Sequence, residues 1–288
     1  DHSAFDAYSF LVEANGKSLF YSGDFRSHGR KWKVFKWFTH NAPQNVDYLL
    51  LEGTSIGRES KRFKSEEAIE NEFVDVFKQA DKINLINTSG QNIDRIVSIF
   101  RACIRTNKTL VVDVYVAYIL NALKGFAGIP YPSTEFKNLK VFFPYYTCKS
   151  LTNAGNEKLL YQFKSFKITK DKINNEPEKF VVIVRPNMIK DLEKIANMNG
   201  GNFIYSMWEG YLKKDKTKEF VEYLTKRNFT MYQIHTSGHA DTVALKEMIE
   251  AIKPKHIVPI HTFSRDEYSD IFSAPIVKLN DGETITIN

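Results

Sequence analysis

Histidines and carboxylates at the ends of predicted strands are the residues of this chain best suited to chemistry. Four of its seven histidines, His235, His239, His256 and His261, fall between Gln233 and Phe263. There the chain reads Gln-Ile-His-Thr-Ser-Gly-His-Ala-Asp and closes on Ile-Val-Pro-Ile-His-Thr-Phe. Towards the other end lie His2, Asp24, which follows Gly23 after one predicted strand, and Glu52, which ends another. Imidazoles and carboxylates around one pocket are how Zn²⁺ or Mn²⁺ is held for hydrolysis, with a position left open for water. Each residue also has an ordinary alternative. Asp in a turn commonly caps backbone N–H groups, and a lone His commonly sits satisfied at a surface. Spacing alone does not decide between the two.

The elements that must position these groups follow from pattern. Thr242 to Ile252 carries Val243, Leu245, Met248, Ile249 and Ile252 at helical spacing, with Asp241 as N-cap. The resulting β-turn-α-β unit puts both strand ends at one sheet edge and brings His239 towards His261. Near the amino end, residues 7–13 and 18–22 predict two strands joined by Ala14-Asn15-Gly16-Lys17, where Asn-Gly is a strong hairpin signal. Arg26 to Phe38 interleaves basic and aromatic residues, as in an amphipathic helix with one aromatic face inward. A third strand covers 46–51, and residues 58–64 form a basic loop able to meet phosphate or water.

From Ser65 onward short apolar strands alternate with helices. Helices are predicted over 66–80, 93–106, 115–123, 188–196 and 217–227, and strands over 83–87, 109–112, 139–143, 180–184 and 202–206. Such alternation implies right-handed βαβ units and a mainly parallel sheet. The polar stretch Thr147 to Lys179 reads as a surface insertion.

Composition sets limits. At 288 residues with 43% hydrophobic content, the chain can form one large domain or two ordinary ones. No run of about 18 apolar residues occurs, so no membrane partner is expected. A start at Asp1 without a leader pattern suggests a piece cut from a longer chain. Cys103 and Cys148 show no pairing pattern and point to a reduced, cytoplasmic setting. A net charge of +6 and a pI near 9.0 permit a polyanionic partner without requiring one. No Gly-x-Gly-x-x-Gly, Walker-type or Gly-x-Ser-x-Gly pattern occurs, so nucleotide-cradle and hydrolase-elbow functions lose support.

Several further residues keep two readings. Ser89-Gly90-Gln91-Asn92 with Arg95 forms a turn entering a helix, fit for a terminal phosphate, although an ordinary N-cap is slightly favoured. Trp208 could stack on a base, with a buried Trp as the default. His28, His40 and His256 read as exposed or structural, and His235 divides evenly between pocket and packing.

Taken in order, Asp1-His2-Ser3-Ala4 and Gly23-Asp24-Phe25-Arg26 resemble the third and fourth metal-binding motifs of the metallo-β-lactamase fold. Leu50-Leu51-Glu52-Gly53-Thr54, Ser237-Gly238-His239-Ala240 and Pro259-Ile260-His261-Thr262 resemble motifs A, B and C of its β-CASP subgroup, which includes ribonuclease J and related nucleases. The resemblance implies an α/β fold: a partial αββα sandwich from residues 1–64 and 233–288, with an inserted β-CASP domain over 65–232 and a mainly parallel sheet flanked by helices.

It further implies two divalent ions in the complete protein, zinc first and manganese as the alternative. His2, Asp24 and His261 would be ligands, with Asp24 bridging. His239, Glu52 and Asp24 would be the catalytic set, with Glu52 orienting a histidine, and Ser237, Gly238, Ser89 and Arg95 would contact substrate. The family's His-x-His-x-Asp-His motif is missing from this chain. The expectation is therefore a fragment with half a metal site, inactive or poorly metallated by itself. Its apolar sheet face would be exposed or covered by a partner chain, by homo-oligomerisation or by the missing amino-terminal part. RNA or another single-stranded nucleic acid is the expected partner; a small-molecule hydrolase and a non-catalytic nucleic-acid-binding subunit are the alternatives.

Overall fold

The computed structural model describes residues 1–58, 62–79, 81–195 and 198–287. Within the basic loop 58–64, residues 59–61 lie outside the described residues, as do Ala80 and Ala196, the last residues of two predicted helices. The chain divides into two compact units, Asp1–Ser65 with Ser237–Asn288, and Glu66–Thr236. No described helix is long and apolar enough to cross a membrane.

The first unit opens with the hairpin β1 (Phe10–Ala14) and β2 (Lys17–Tyr21). Asn15 and Gly16 between them both have positive φ, 50° and 74°, so the Asn-Gly pair makes the left-handed turn that matches strand twist. Helix α1 (Trp32–Asn41) leads to β3 (Tyr48–Glu52). The second unit then runs through α2 (Glu66–Gln79), β4 (Asn84–Asn87), α3 (Ile93–Arg105), β5 (Thr109–Asp113), α4 (Val114–Ala122) and β6 (Leu139–Phe142). It continues with α5 (Tyr145–Asn153), α6 (Lys158–Tyr161), α7 (Lys170–Asn175), β7 (Phe180–Ile183), α8 (Ile189–Leu192), β8 (Gly201–Tyr205), α9 (Asp215–Thr225) and β9 (Phe229–Gln233). The chain returns to the first unit with α10 (Thr242–Ile252), β10 (His256–Ile260) and α11 (Tyr268–Ile271).

In the first unit the strand order is β1-β2-β3-β10, antiparallel at the hairpin and parallel elsewhere. Alternation decides the faces. Phe20, Leu49, Leu51 and Ile257 point to a core closed by Phe35 of α1 and by Ala244, Leu245, Met248 and Ile252 of α10. Phe10, Val12 and Tyr21 point the other way and are 57%, 54% and 37% exposed. That face is thus an apolar strip open to solvent in this unit.

The second unit is a six-stranded sheet, ordered β6-β5-β7-β4-β8-β9, with every strand pair parallel. Strands β4 and β7 are buried at every residue, as parallel strands with both faces covered must be. The molecule is therefore α/β, with a mainly parallel sheet flanked by helices. One sequence expectation needs correction. The helix foreseen over 188–196 shrinks to the four residues of α8, because Asp191 turns inward and binds Lys170 Nζ at 2.7 Å and Tyr145 N at 3.0 Å. The polar stretch 147–179, read as a surface insertion, holds most of α5 and all of α6 and α7.

Candidate metal centre

Three strand ends of the first unit converge. After β2 the chain passes Ser22 and turns at Gly23, whose φ is +58°. A Cβ there would lie 2.5 Å from the Tyr8 carbonyl oxygen, so only glycine fits, and the turn presents Asp24. Glu52 ends β3 with no solvent exposure; its Oε2 accepts from Thr54 N and its Oε1 from Ala240 N, both at 3.0 Å. His261 follows β10 with φ +48°. Its Nδ1 lies 3.0 Å from Asp24 Oδ1 and 3.0 Å from the Thr54 hydroxyl, which also donates to the His261 carbonyl at 3.1 Å.

His239 completes the group from the turn before α10, a helix capped by Asp241, whose Oδ1 accepts from Ala244 N at 2.8 Å. Its Nδ1 stands 3.6 Å from Glu52 Oε1 and 3.9 Å from Asp24 Oδ2, and its ring lies 5.2 Å from that of His261. The turn itself is anchored by buried Arg26, which donates to the Ser237 carbonyl at 3.0 Å, and by buried His28, whose Nε2 is 2.9 Å from the same oxygen. A Cβ at Gly238 would lie 2.7 Å from Ser3 Oγ, so a side chain there would require that hydroxyl to move.

Electrostatics divide the roles. Burial pushes the Glu52 carboxyl up, but His239 and the two backbone donors more than offset this, so it is held below its usual range. Burial in turn opposes charge on His239, yet the Glu52 carboxylate beside it raises its pKa overall. For His2 burial and the neighbouring His239 act together and lower the pKa to about 4. His2 Nδ1 accepts from Ala4 N at 3.2 Å, which leaves the proton of the neutral ring on Nε2.

The donor atoms of Asp24, Glu52, His239 and His261 all lie within 4.8 Å of one another. Donors about 2.1 Å from a tetrahedral ion stand about 3.4 Å apart. The Asp24 contacts at 3.0 and 3.9 Å bracket that value. The buried Nδ1 of His239 has no hydrogen-bond partner among the described residues. Carboxylate and imidazole donors, a fitting spacing and an unsatisfied buried nitrogen together suit a divalent ion. His2 stands outside this group of four, with its ring 5.6 Å from His239, and would have to give up the Ala4 hydrogen bond to become a ligand through either nitrogen with the other protonated.

The residues expected to contact substrate are placed differently. Ser237 Oγ accepts from His239 N at 3.1 Å and shapes the turn. Ser89 Oγ accepts from Gln91 N in the loop after β4. Arg95 is fully buried in the second unit; it grips Glu66 with Nε at 3.2 Å and Nη2 at 3.0 Å and also donates to Ser206 and Thr236. Its guanidinium is thereby fixed inside the core. His235 lies just past β9, 3.4 Å from Arg95 Nη1, on the packing side of its two readings. Thr54 was not singled out by sequence reasoning; its position two residues after Glu52 was the only available signal. It links Glu52 to His261.

Comparison with known proteins agrees with this geometry. Residues 218–266, which include His239 and His261, match the Zn-dependent metallo-hydrolase RNA specificity domain. Ribonuclease J from two Helicobacter pylori strains, 26695 and B128, is 21% identical over 272 residues, covering 90% of this chain. The chain spans 36% of the length of these relatives. A crystal structure of a protein of unknown function from Enterococcus faecalis V583 superposes with a TM-score of 0.76 at 20% identity, covering all of this chain and 62% of that one. The matched RNA specificity domain and the ribonuclease J relatives support assigning this chain to the metallo-β-lactamase family of β-CASP type.

Proposed function

We propose that Asp24 and His261 form part of the metal-holding wall, with His239 beside it, of a phosphodiester hydrolase centre that acts on RNA, in the manner suggested by the ribonuclease J relatives. In this reading the first unit is the metallo-β-lactamase-type domain and the second the β-CASP domain. The observation that carries the proposal is the four-residue cluster whose donor atoms lie within 4.8 Å.

A divalent ion, zinc by the chemistry of the donors, supplies Lewis acidity and water activation when bound. The protein's own residues do the rest. Asp24 and His261 would hold the ion, and Thr54, which donates to the His261 carbonyl, fixes the backbone that carries that ring. His239 faces the scissile phosphate. Glu52 keeps it oriented and favours its protonated form, so the ring can stabilise charge that develops on phosphoryl oxygens. The described ligands suffice for one ion rather than two. The chain by itself is therefore expected to bind metal weakly and to cleave poorly.

Cleavage of a labelled RNA by the protein that carries this chain, with Mn²⁺ or Zn²⁺, tests the proposal. Asp24→Ala and His261→Ala should each abolish it. Unchanged cleavage in both variants would refute the site. Cleavage of a small phosphodiester but not of RNA would favour a small-molecule hydrolase, and RNA binding with no metal-dependent cleavage would favour a binding subunit.

A further inference from the structure

The carboxyl edge of the second unit's sheet carries a row of exposed aromatic rings, each group accompanied by a cation. After β6, Tyr145 and Tyr146 open α5 at 53% and 41% exposure, with their rings edge to face at 5.4 Å. Lys194 Nζ lies 5.8 Å from the Tyr145 ring and Lys190 Nζ 5.5 Å from the Tyr146 ring; both lysines follow β7. After β5, Tyr115 is 42% exposed, with the guanidinium of Arg185 5.1 Å from its ring. After β8, Trp208 and Tyr211 are 44% and 39% exposed, with ring centroids 5.3 Å apart and Lys214 Nζ 4.4 Å from the Tyr211 ring. The strand order β6-β5-β7-β4-β8 spreads these groups over four strand spacings, about 19 Å at about 4.8 Å each.

The fold holds the rings in place. Asp191, almost fully buried, accepts from Tyr145 N at 3.0 Å and pins the start of α5. Gln91 Nε2 donates to the Tyr115 hydroxyl at 2.9 Å. The Trp208 indole lies against Gly210, where a Cβ would come within 2.3 Å of the ring. Side chains this apolar, clustered and preorganised at a surface mark a binding site. Charge indicates the occupant: residues 145–194 carry ten Lys and Arg against six Asp and Glu, which suits a polyanion.

We infer that this edge is a stacking platform for single-stranded RNA. Bases lie on Tyr115, the Tyr145–Tyr146 pair and the Trp208–Tyr211 pair, while Lys190, Lys194 and Lys214 meet the phosphates. Only a single strand offers its base faces for such stacking; a duplex hides them. The choice of RNA rests on the function proposed above, whereas the platform rests on the geometry of the second unit alone.

The test measures the affinity of the chain for a fluorescein-labelled, mixed-sequence single-stranded oligoribonucleotide and for its duplex, over a range of salt. Base stacking is expected to make Tyr145→Ala with Tyr146→Ala, and separately Trp208→Ala with Tyr211→Ala, weaken single-strand binding about tenfold or more. Tyr145→Phe with Tyr146→Phe should retain it, and duplex binding should change little. Lys190→Gln with Lys194→Gln should flatten the dependence of log affinity on log salt by about 0.7 per lost contact. Folded alanine variants that bind the single strand as well as wild type would overturn the platform, as would equal losses on duplex and single strand. Absence of RNA binding by wild type would overturn it together with the RNA reading. Loss of cleavage in Asp24→Ala with binding intact concerns the metal centre and leaves the platform standing.

Discussion

Replacing Glu52 by Gln is the perturbation most sensitive to how the centre is built. The carboxylate is fully buried, accepts backbone N–H groups from Thr54 and Ala240 at 3.0 Å on its two oxygens, and faces His239 Nδ1 at 3.6 Å. A glutamine has one acceptor oxygen, so its NH₂ must confront one of the two amide donors. A hydrogen bond to a charged group contributes about 1.5–3 kcal/mol, and a buried donor left unsatisfied costs about 1–3 kcal/mol. Together these give a loss of roughly 2.5–6 kcal/mol, a large part of the 5–15 kcal/mol that stabilises a typical domain. Without the Glu52 carboxylate, burial is opposed only by the charge of Asp24, and the His239 pKa should fall from its raised position. Urea denaturation of the metal-free protein reads the first effect, and NMR titration of the His239 ring reads the second. A Glu52→Gln protein within about 1 kcal/mol of wild type, with an unmoved His239 titration, would refute the reasoning.

Three further outcomes follow from contacts elsewhere. Thr54→Ala removes the hydroxyl beside His261 Nδ1 and should weaken metal affinity about 10–100-fold with little change in stability, measured by competition with a chromophoric chelator. Arg95→Met strands the buried Glu66 carboxylate and should cost about 3–5 kcal/mol in denaturation experiments, whereas Arg95→Met with Glu66→Met should recover most of it. Asp47 is bound by Lys255 and by Ser18, which lower its pKa from 3.8 to about 2. Its contribution to stability is complete above about pH 4 and is lost as the pH falls towards 2, so Asp47→Asn should flatten that part of the acid-unfolding curve.

What could be read from the sequence was local or periodic. Asn15-Gly16 announced a hairpin because a left-handed two-residue turn needs those types, and Asp241 announced the start of α10 because its side chain bonds three residues ahead. The meeting of His239 and His261 followed from a short β-turn-α-β connection. Pairings between distant residues carried no such signal. Thr54 meets His261 across 207 positions, and Arg95 meets Glu66 across 29 positions and a helix packing that no motif encodes. The turn entering α3 kept two readings, with an ordinary N-cap slightly favoured over a phosphate site that includes Arg95; Asn92 caps the helix there, and the Arg95 charge is matched inside the core. Trp208 shows the reverse: a buried tryptophan was the default, yet its indole rests on Gly210 at the surface. The open face of Phe10, Val12 and Tyr21 was visible only through the resemblance, since hairpin alternation alone does not tell which face is covered.

The central claim is that Asp24 and His261 hold a divalent ion beside His239. Equilibrium dialysis of this chain against Zn²⁺, with bound metal counted by mass spectrometry, tests it most directly. The account predicts no more than one equivalent, weakly held and lost in both Asp24→Ala and His261→Ala. Two tightly bound ions, or uptake unchanged by both substitutions, would contradict it.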